Sequence, residues 1–378
     1  MKWENYQLKD IANYWSGKVE ASVLDATNYI STENLIPDRG GVVNSNYVPT
    51  SGNSNSYSEN DVLISNIRPY FKKIWFADKQ GGCSNDVLVF RAKENIEPLF
   101  LYYQLSKDAF FDDMVAGSNG TKMPRGNKTS IMEFKLQIPP LPTQRKIASI
   151  LSAYDDLIEN NLKRIKLLEE KAFLRYKILM SSEKLIEGTV GDLADVKSGF
   201  AFKGADWTDE GFPVIKIKNI GNNDIDLTDC SLIPENIAEA AAKFKLNAGD
   251  LLIAMTGATV GKIGMMPKTE TSFYLNQRVG IFKPKVENVE LFLFCFYNEP
   301  SAKDAVESLA SGAAQPNISG GQLESIKLFY PKFETVTEFG NSIKSQFELI
   351  WNLKQQNAKL REARDILLPR LMSGEVEV

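Results

Sequence analysis

Histidine is absent from all 378 residues. Without it the usual general base near neutral pH is missing, so Ser-His-Asp and Cys-His catalysis are excluded. Cysteine is scarce: Cys83, Cys230 and Cys295 lie far apart with no CxxC spacing. That pattern gives neither a disulfide framework nor a zinc site built with imidazole. Long apolar runs are missing as well. The first 20 residues carry acids and amides where a secretory leader needs an unbroken apolar stretch, and the run Leu291–Tyr297 is far too short to span a bilayer. A cytoplasmic chain with no membrane role is expected. Nor is there a basic excess, since the formal net charge is -4. Phosphate neutralisation normally shows as a basic domain, so here the grouping of basic residues matters more than their sum.

Signatures of DNA-modifying and nucleotide-hydrolysing enzymes are also missing. An exocyclic-amine methyltransferase needs an Asn/Asp-Pro-Pro-aromatic string, and the nearest stretches, Ile138-Pro-Pro-Leu141 and Asn298-Glu-Pro-Ser301, do not fit. Gly257-Ala-Thr-Val-Gly-Lys-Ile263 has three residues between its glycines and no Ser or Thr after the lysine, whereas a P-loop needs four and a hydroxyl. No catalytic residue, metal or cofactor is expected in this chain.

What the sequence does contain is a duplication. Leu8-Lys-Asp-Ile-Ala-Asn-Tyr-Trp-Ser-Gly17 parallels Val190-Gly-Asp-Leu-Ala-Asp-Val-Lys-Ser-Gly199, and Asp61-Val-Leu-Ile64 parallels Asp250-Leu-Leu-Ile253. Val89-Phe-Arg91 parallels Ile281-Phe-Lys283, and Phe134–Pro139 parallels Ile326–Pro331. The offset is 192 − 10 = 182 at the start, 250 − 61 = 189 in the middle and 281 − 89 = 192 thereafter, so loops of unequal length separate the matches. A period this long marks a duplicated domain and not a solenoid unit.

Each copy ends in a long amphipathic segment. From Thr143 to Lys184 there is no Gly or Pro, and Ile147, Leu151, Tyr154, Ile158, Asn161, Ile165, Leu168, Ala172, Arg175 and Leu179 recur at alternating spacings of four and three. One repeat later the stripe is Phe339, Ile343, Gln346, Ile350, Leu353, Asn357, Leu360, Arg364, Leu367 and Leu371, with Pro369 as a kink or stop and Ser373-Gly374 as a later one. These are sustained heptad stripes whose polar members could fix register. Two such helices, about 45 to 60 Å long, have each other as the simplest partner. The other reading packs each helix on its own domain. The expected organisation is a domain over 1–142, a spacer helix over 143–184, a second domain over 185–335 and a second spacer helix over 336–378.

Within the globular halves, Val87–Phe90, Asp250–Ala254 and Val279–Phe282 read as strands, while Pro98–Phe111 and Glu290–Leu309, broken at Pro300, read as helices. The Asn-, Ser- and Gly-rich stretch Val43–Glu59 reads as a loop. The fold class expected is α+β, mixed, in two pseudo-repeated domains.

The remaining chemistry lies in loops rich in basic and amide side chains, the types that meet phosphates and base edges. Ser118–Thr129 offers Lys122, Arg125 and Lys128 with no acid, and the aligned stretch Ser311–Asn317 offers Gln315 and Asn317. Arginine favours guanine O6 and N7, and Asn or Gln favours adenine N6 and N7, so the two halves would read different bases. Arg68, Lys72 and Lys73, and in the second half Thr256, Thr259, Lys262, Asn276, Gln277 and Arg278, complete the candidates.

Taken together, Leu141-Pro-Thr-Gln-Arg-Lys-Ile-Ala148, Gly249-Asp-Leu-Leu-Ile-Ala-Met-Thr-Gly257, Leu275-Asn-Gln-Arg278 and Leu367-Leu-Pro-Arg-Leu-Met-Ser-Gly374, in this order on a duplicated layout, resemble the type I restriction-modification specificity (S) subunit family, HsdS. The resemblance implies two target recognition domains of mixed α/β fold and long helices forming an antiparallel coiled-coil spacer. It also implies double-stranded DNA as ligand, two methylation subunits, and restriction subunits that join for cleavage. S-adenosylmethionine, ATP and magnesium would belong to those partners, and the target adenine would be flipped into the methylation subunit. The first half departs from the pattern, with Ile64-Ser-Asn-Ile-Arg-Pro69 and Ser84-Asn-Asp86 in place of the Met-Thr-Gly and Asn-Gln-Arg strings. A coiled-coil scaffold whose globular halves bind proteins is the competing class.

Overall fold

The computed structural model describes residues 3–118, 120, 122–221, 223–310 and 316–378. The chain forms two compact units, residues 1–160 with 357–378, and residues 161–356.

In the first unit, Glu4–Gln7 pairs antiparallel with Lys135–Ile138, and one helical turn follows, with the Asp10 carboxylate accepting the Gln7 N–H at 2.8 Å. A four-stranded antiparallel sheet then runs in the order Ala12–Tyr14, Val87–Ala92, Val62–Ser65, Ile74–Phe76. All four residues of Val62–Ser65 are buried, which is why that strand reads as one apolar run and not as an alternation. A second sheet orders Lys18–Glu20, Asn53–Tyr57, Gly81–Cys83 and Tyr29–Ile30, the last pair being parallel. Helices Pro98–Leu105 and Asp108–Ala116 cover the core, in which Phe90, Phe100, Phe110 and Phe111 are buried.

The second unit repeats this frame. Ile186–Thr189 pairs with Lys327–Tyr330, and Asp192 accepts the Thr189 N–H at 2.7 Å. The sheet Ala194–Ser198, Val279–Pro284, Leu251–Ala254, Ile263–Met265 keeps the strand order of its counterpart. A structural ion pair is kept too: Asp61 holds Arg91 through two 2.7 Å bonds in the first unit, and Asp250 stands 3.9 Å from Lys283 in the second. The smaller sheets diverge. In the second unit, among the described residues, Ser231–Ile233, Phe212–Ile215 and Tyr274–Leu275 form a three-stranded sheet.

Two readings of the globular halves are corrected. Val43–Glu59 is not all loop, because Asn53–Tyr57 is a strand between Lys18–Glu20 and Gly81–Cys83. Its composition disfavours β structure, but tertiary partners supply the pairing. Buried Tyr57 anchors it, donating its hydroxyl hydrogen to the Asn28 carbonyl at 2.9 Å. Likewise Pro98–Phe111 is two helices, interrupted at Lys107, whose backbone is extended.

The long helices run Leu141–Ser182 and Phe333–Ser373. In the first unit Ile147, Leu151 and Ile158 are buried together with Asn357, Leu368 and Leu371. The Asn357 amide donates to the Ile158 carbonyl at 3.3 Å, and Arg364 pairs with Asp155 at 2.6 Å. In the second unit Ile165, Ala172 and Tyr176 meet Ile343, Ile350 and Leu353 in one core. There the Gln346 amide donates to the Leu168 carbonyl at 2.9 Å, and Arg175 donates to the Ser342 carbonyl at 2.9 Å. Within each unit the two segments therefore run antiparallel, and each unit's core contains stretches of both helices. Tyr154, Leu168, Leu360 and Leu367 are half-buried at the seam's margin.

The seam departs from the strict heptad at its end, where Tyr176 is buried and Arg175 is exposed. An α-helix drifts about 20° per heptad against a 3.5-residue repeat, so the inward position advances by one residue. Pro369 neither stops nor ends the helix, which continues to Ser373. The lost N–H lies in the final turns, where few bonds remain to be broken. Gly374, at φ +73°, then takes the left-handed conformation that closes the helix.

Candidate nucleic-acid interface

Three loops meet at the same place in each unit. In the first, the segment after strand Val62–Ser65 is held by Asn66 N–H to the Asp86 carbonyl at 2.8 Å, Arg68 N–H to the Pro124 carbonyl at 2.8 Å, and Gly126 N–H to the Asn66 carbonyl at 3.2 Å. In the second, Met255 N–H donates to Arg278 at 3.0 Å, Gly257 N–H to Pro316 at 3.0 Å, and Ile318 N–H to Met255 at 2.9 Å. These are the same three bonds, because 255 − 66 and 257 − 68 are both 189, while 278 − 86, 316 − 124 and 318 − 126 are all 192. The end of the third loop is fixed by helix capping in each unit: Asn127 accepts from Thr129 N–H at 3.0 Å, and Ser319 accepts from Gln322 N–H at 3.3 Å.

This frame makes Arg125 and Asn317 equivalent positions (317 − 125 = 192), and both are exposed. Each is bridged to the facing strand end, Arg125 to Ile67 and Asn317 to Thr256. Around Asn317 lies a cleft of about 580 Å³ bordered by Ser198, Thr256, Gln277, Arg278 and Ser319. Buried polar atoms seldom lack partners. Yet among the described residues Asn66 Oδ1 and Arg68 Nε at one junction, and Thr256 Oγ1 at the other, have none.

The remaining candidates separate by their surroundings. Lys122 and Lys128 are exposed beside Arg125, and Gln277 and Arg278 are exposed at the second junction. Lys72 is engaged with Asp108 at 2.6 Å, and Arg39 shares the same carboxylate. Those two cations hold the Asp108 carboxyl below the usual carboxylate range. Lys73 donates to the Thr32 carbonyl at 2.6 Å, and burial lowers its ammonium pKa. Thr259 bonds the Ile217 carbonyl at 3.3 Å. Asn276 is buried and accepts the Arg278 N–H at 3.2 Å, so it shapes the turn that presents Gln277 and Arg278. Lys262 lies at a separate cleft, and Gln315 falls outside the described residues.

One participant escapes a residue-type search. Asp86 faces Arg125, with Nε–Oδ1 3.1 Å and Nη2–Oδ2 3.2 Å. An acid does not belong to a pattern of cationic and amide residues, although the repeat aligns Asp86 with Arg278.

Comparison with known proteins agrees with this duplicated frame. The chain matches the family described as "Type I restriction modification DNA specificity domain" over residues 1–170 and again over 183–361. It is 28% identical over its whole length to the specificity subunit of the type I restriction enzyme MjaVIII from Methanocaldococcus jannaschii, covering 93% of that protein. It is 22% identical to the HindI specificity subunit from Haemophilus influenzae, with 99% of each chain covered. The crystal structure of the S subunit of a type I restriction-modification system from M. genitalium superposes with a TM-score of 0.64 over 98% of this chain and 96% of that one, at 20% identity, and so shares the fold. The chain therefore belongs to the type I restriction-modification DNA specificity family. Its mixed α/β fold carries two specificity domains. Subunits of this kind are non-catalytic, the methyl-transfer and cleavage chemistry lying in other subunits of the system. No helix among the described residues is long and apolar enough to cross a membrane.

Proposed function

We propose that this chain selects a bipartite duplex DNA sequence, one half-site for each domain, for a cytoplasmic type I restriction-modification complex. The recognition domains are residues 1–142 and 185–335. The helices, over 143–184 and 336–378, act as an antiparallel coiled coil that sets the spacer between half-sites. Two methylation subunits dock on the domains and helices, and restriction subunits join for cleavage. S-adenosylmethionine, ATP and magnesium act in those partners.

The observation that carries this reading is one backbone junction, built twice, that presents arginine in one copy and asparagine in the other. Arg125 suits guanine O6 and N7, and Asn317 suits adenine N6 and N7. Arg68, Gln277 and Arg278 flank these positions as further base or phosphate contacts, and Lys122 and Lys128 serve the backbone. Docking on the helices is supported by Ile150, Leu157, Leu167, Leu174 and Ile178, apolar side chains of the first long helix that stay exposed. Exposed apolar side chains on a helix suit a partner surface. The net charge of -4 is compatible with DNA binding when partners supply part of the phosphate attraction.

A gel shift on random duplexes, with the cognate methylation subunits added, tests the proposal. Enrichment of one two-part sequence supports it. Binding without any sequence selection returns the chain to the scaffold class.

A further inference from the structure

The internal duplication supplies a comparison between equivalent places, and one of them is filled in the first unit and open in the second. In the first unit the turn between the bridged residues Leu35 and Val42 sends Arg39 onto the carbonyl of Ser106 at 2.6 Å and onto the Asp108 carboxylate, which Lys72 also holds at 2.6 Å. Phe111 is buried there, with the Arg39 guanidinium over its ring. The site is closed by an anion and two cations that the domain itself provides.

Each of these groups has changed in the second unit. Six residues separate Leu35 from Val42 but only four separate Ile220 from Ile225, and the shorter turn carries Asn223 and Asp224, the latter turned to Lys354 at 2.9 Å. At offsets of 189 and 192, Lys72 becomes Gly261, Asp108 becomes Pro300 and Phe111 becomes Lys303. Gly261 keeps the left-handed backbone of Lys72, φ +81° against +50°, without its side chain. The anion is therefore gone, an aromatic filler is replaced by a cation, and a cleft of about 470 Å³ remains, bordered by Asn223, Lys262, Tyr297, Asn298, Lys303 and Glu307.

One exchange points to a ligand. Leu105, fully buried, becomes Tyr297, which is 3% exposed and whose hydroxyl has no hydrogen-bond partner among the described residues. A buried hydroxyl left unpaired is destabilising, and the leucine of the first unit shows that the fold does not need one here. Asn298 lies beside it, fixed by bonds to Asn223 at 2.8 Å and to the Phe294 carbonyl at 2.9 Å. Neither the Lys262 nor the Lys303 ammonium has an ion-pair partner among the described residues, and Glu307 is the one acid on the rim among them. Burial pushes the Tyr297 phenol up, so it stays a donor at physiological pH.

We infer that this cleft in the second domain binds a phosphate-type anion, held by Lys262, Lys303 and the Tyr297 hydroxyl where the first domain uses its own Asp108. The anion is a free phosphate-bearing molecule or a phosphate of the DNA backbone. The site does not depend on the base-reading roles given above.

Titration calorimetry of the full chain with sodium phosphate, at ionic strength held constant with chloride, tests it. Saturable binding is expected, weakened at least about tenfold in Lys262→Gln and in Tyr297→Phe, as loss of a bond to a charged group implies. Glu307→Gln, a change at the exposed rim, should tighten it. Displacement of phosphate by cognate duplex identifies the DNA backbone as the source, and persistence of phosphate binding beside bound duplex identifies a free anion. No saturable heat, or equal heats in wild type and all three variants, overturns the site while leaving sequence-selective DNA binding untouched.

Discussion

Arg125 and Asp86 face each other across the first junction at 3.1 and 3.2 Å, and the residue that repeats Asp86 in the second domain is Arg278 (278 − 86 = 192). The pair is half-exposed, with side-chain accessibilities of 52% and 39%. Exposed ion pairs contribute about 0–1 kcal/mol, so Arg125 can leave Asp86 for a base edge at little cost.

Arg125→Ala should relax the base preference at one position of the first half-site, losing about 1–3 kcal/mol of discrimination. Lys128→Ala should weaken all sequences alike and lower the salt slope by about one. Binding of a panel of singly substituted duplexes at several salt concentrations separates the two, and identical behaviour of both variants would contradict the sorting of this loop into base and phosphate contacts.

Asn317→Ala should change the second half-site alone. The expected methylome of a host carrying this variant keeps the first half-site and loses selectivity at one position of the second. A change in the first half-site would contradict the assignment of one half-site to each domain.

Asp61 is buried and accepts the Ser58 N–H at 2.8 Å as well as both bonds from Arg91. Asp61→Ala should lower stability by about 1.5–3 kcal/mol, read by denaturant unfolding. An unchanged transition midpoint would show that the pair contributes nothing net.

Asp250, its counterpart, is placed differently. Burial raises its carboxyl above the usual carboxylate range, only partly offset by the Asn247 N–H and by Lys283 at 3.9 Å. Because the folded value exceeds the unfolded one, the folded chain takes up this proton first. The charged group therefore penalises folding at neutral pH, and the penalty fades as pH falls through the raised folded value. Asp250→Asn should be more stable than the parent at neutral pH, with the advantage shrinking in mild acid. An advantage independent of pH would exclude titration of Asp250 as its cause.

The duplication was legible from matched strings at near-constant offsets, the strands Val87–Ala92, Leu251–Ala254 and Val279–Pro284 from short apolar runs bounded by turn residues, and the long helices from their heptad period. Strand Asn53–Tyr57 was not, because its pairing comes from distant partners and not from its own composition. At the candidate site, Arg125 and Asn317 stand out in sequence by residue type and repeat position, and the structure puts them at equivalent, exposed places. Sequence does not distinguish these from Lys72, Lys73 and Asn276, whose side chains are engaged with Asp108, the Thr32 carbonyl and a turn. A lysine bound within the domain and one facing solvent look alike in sequence. The open cleft at Lys262 has no sequence signature of its own and differs from the first unit by the loss of Lys72, Asp108 and Phe111 at the equivalent positions.

The spacer role proposed for the helices is supported by the pairing of Asn357 with Ile158 and of Gln346 with Leu168. Inserting seven residues in each helix, beside Ile158 and beside Asn357, keeps the apolar seam in phase and adds about 10 Å at 1.5 Å per residue. Methylome sequencing of a host carrying this variant with its partner subunits should show both half-sites unchanged and the unspecified gap between them longer, by about three base pairs at 3.4 Å each. An unchanged gap, or an altered half-site at the original spacing, would contradict the account.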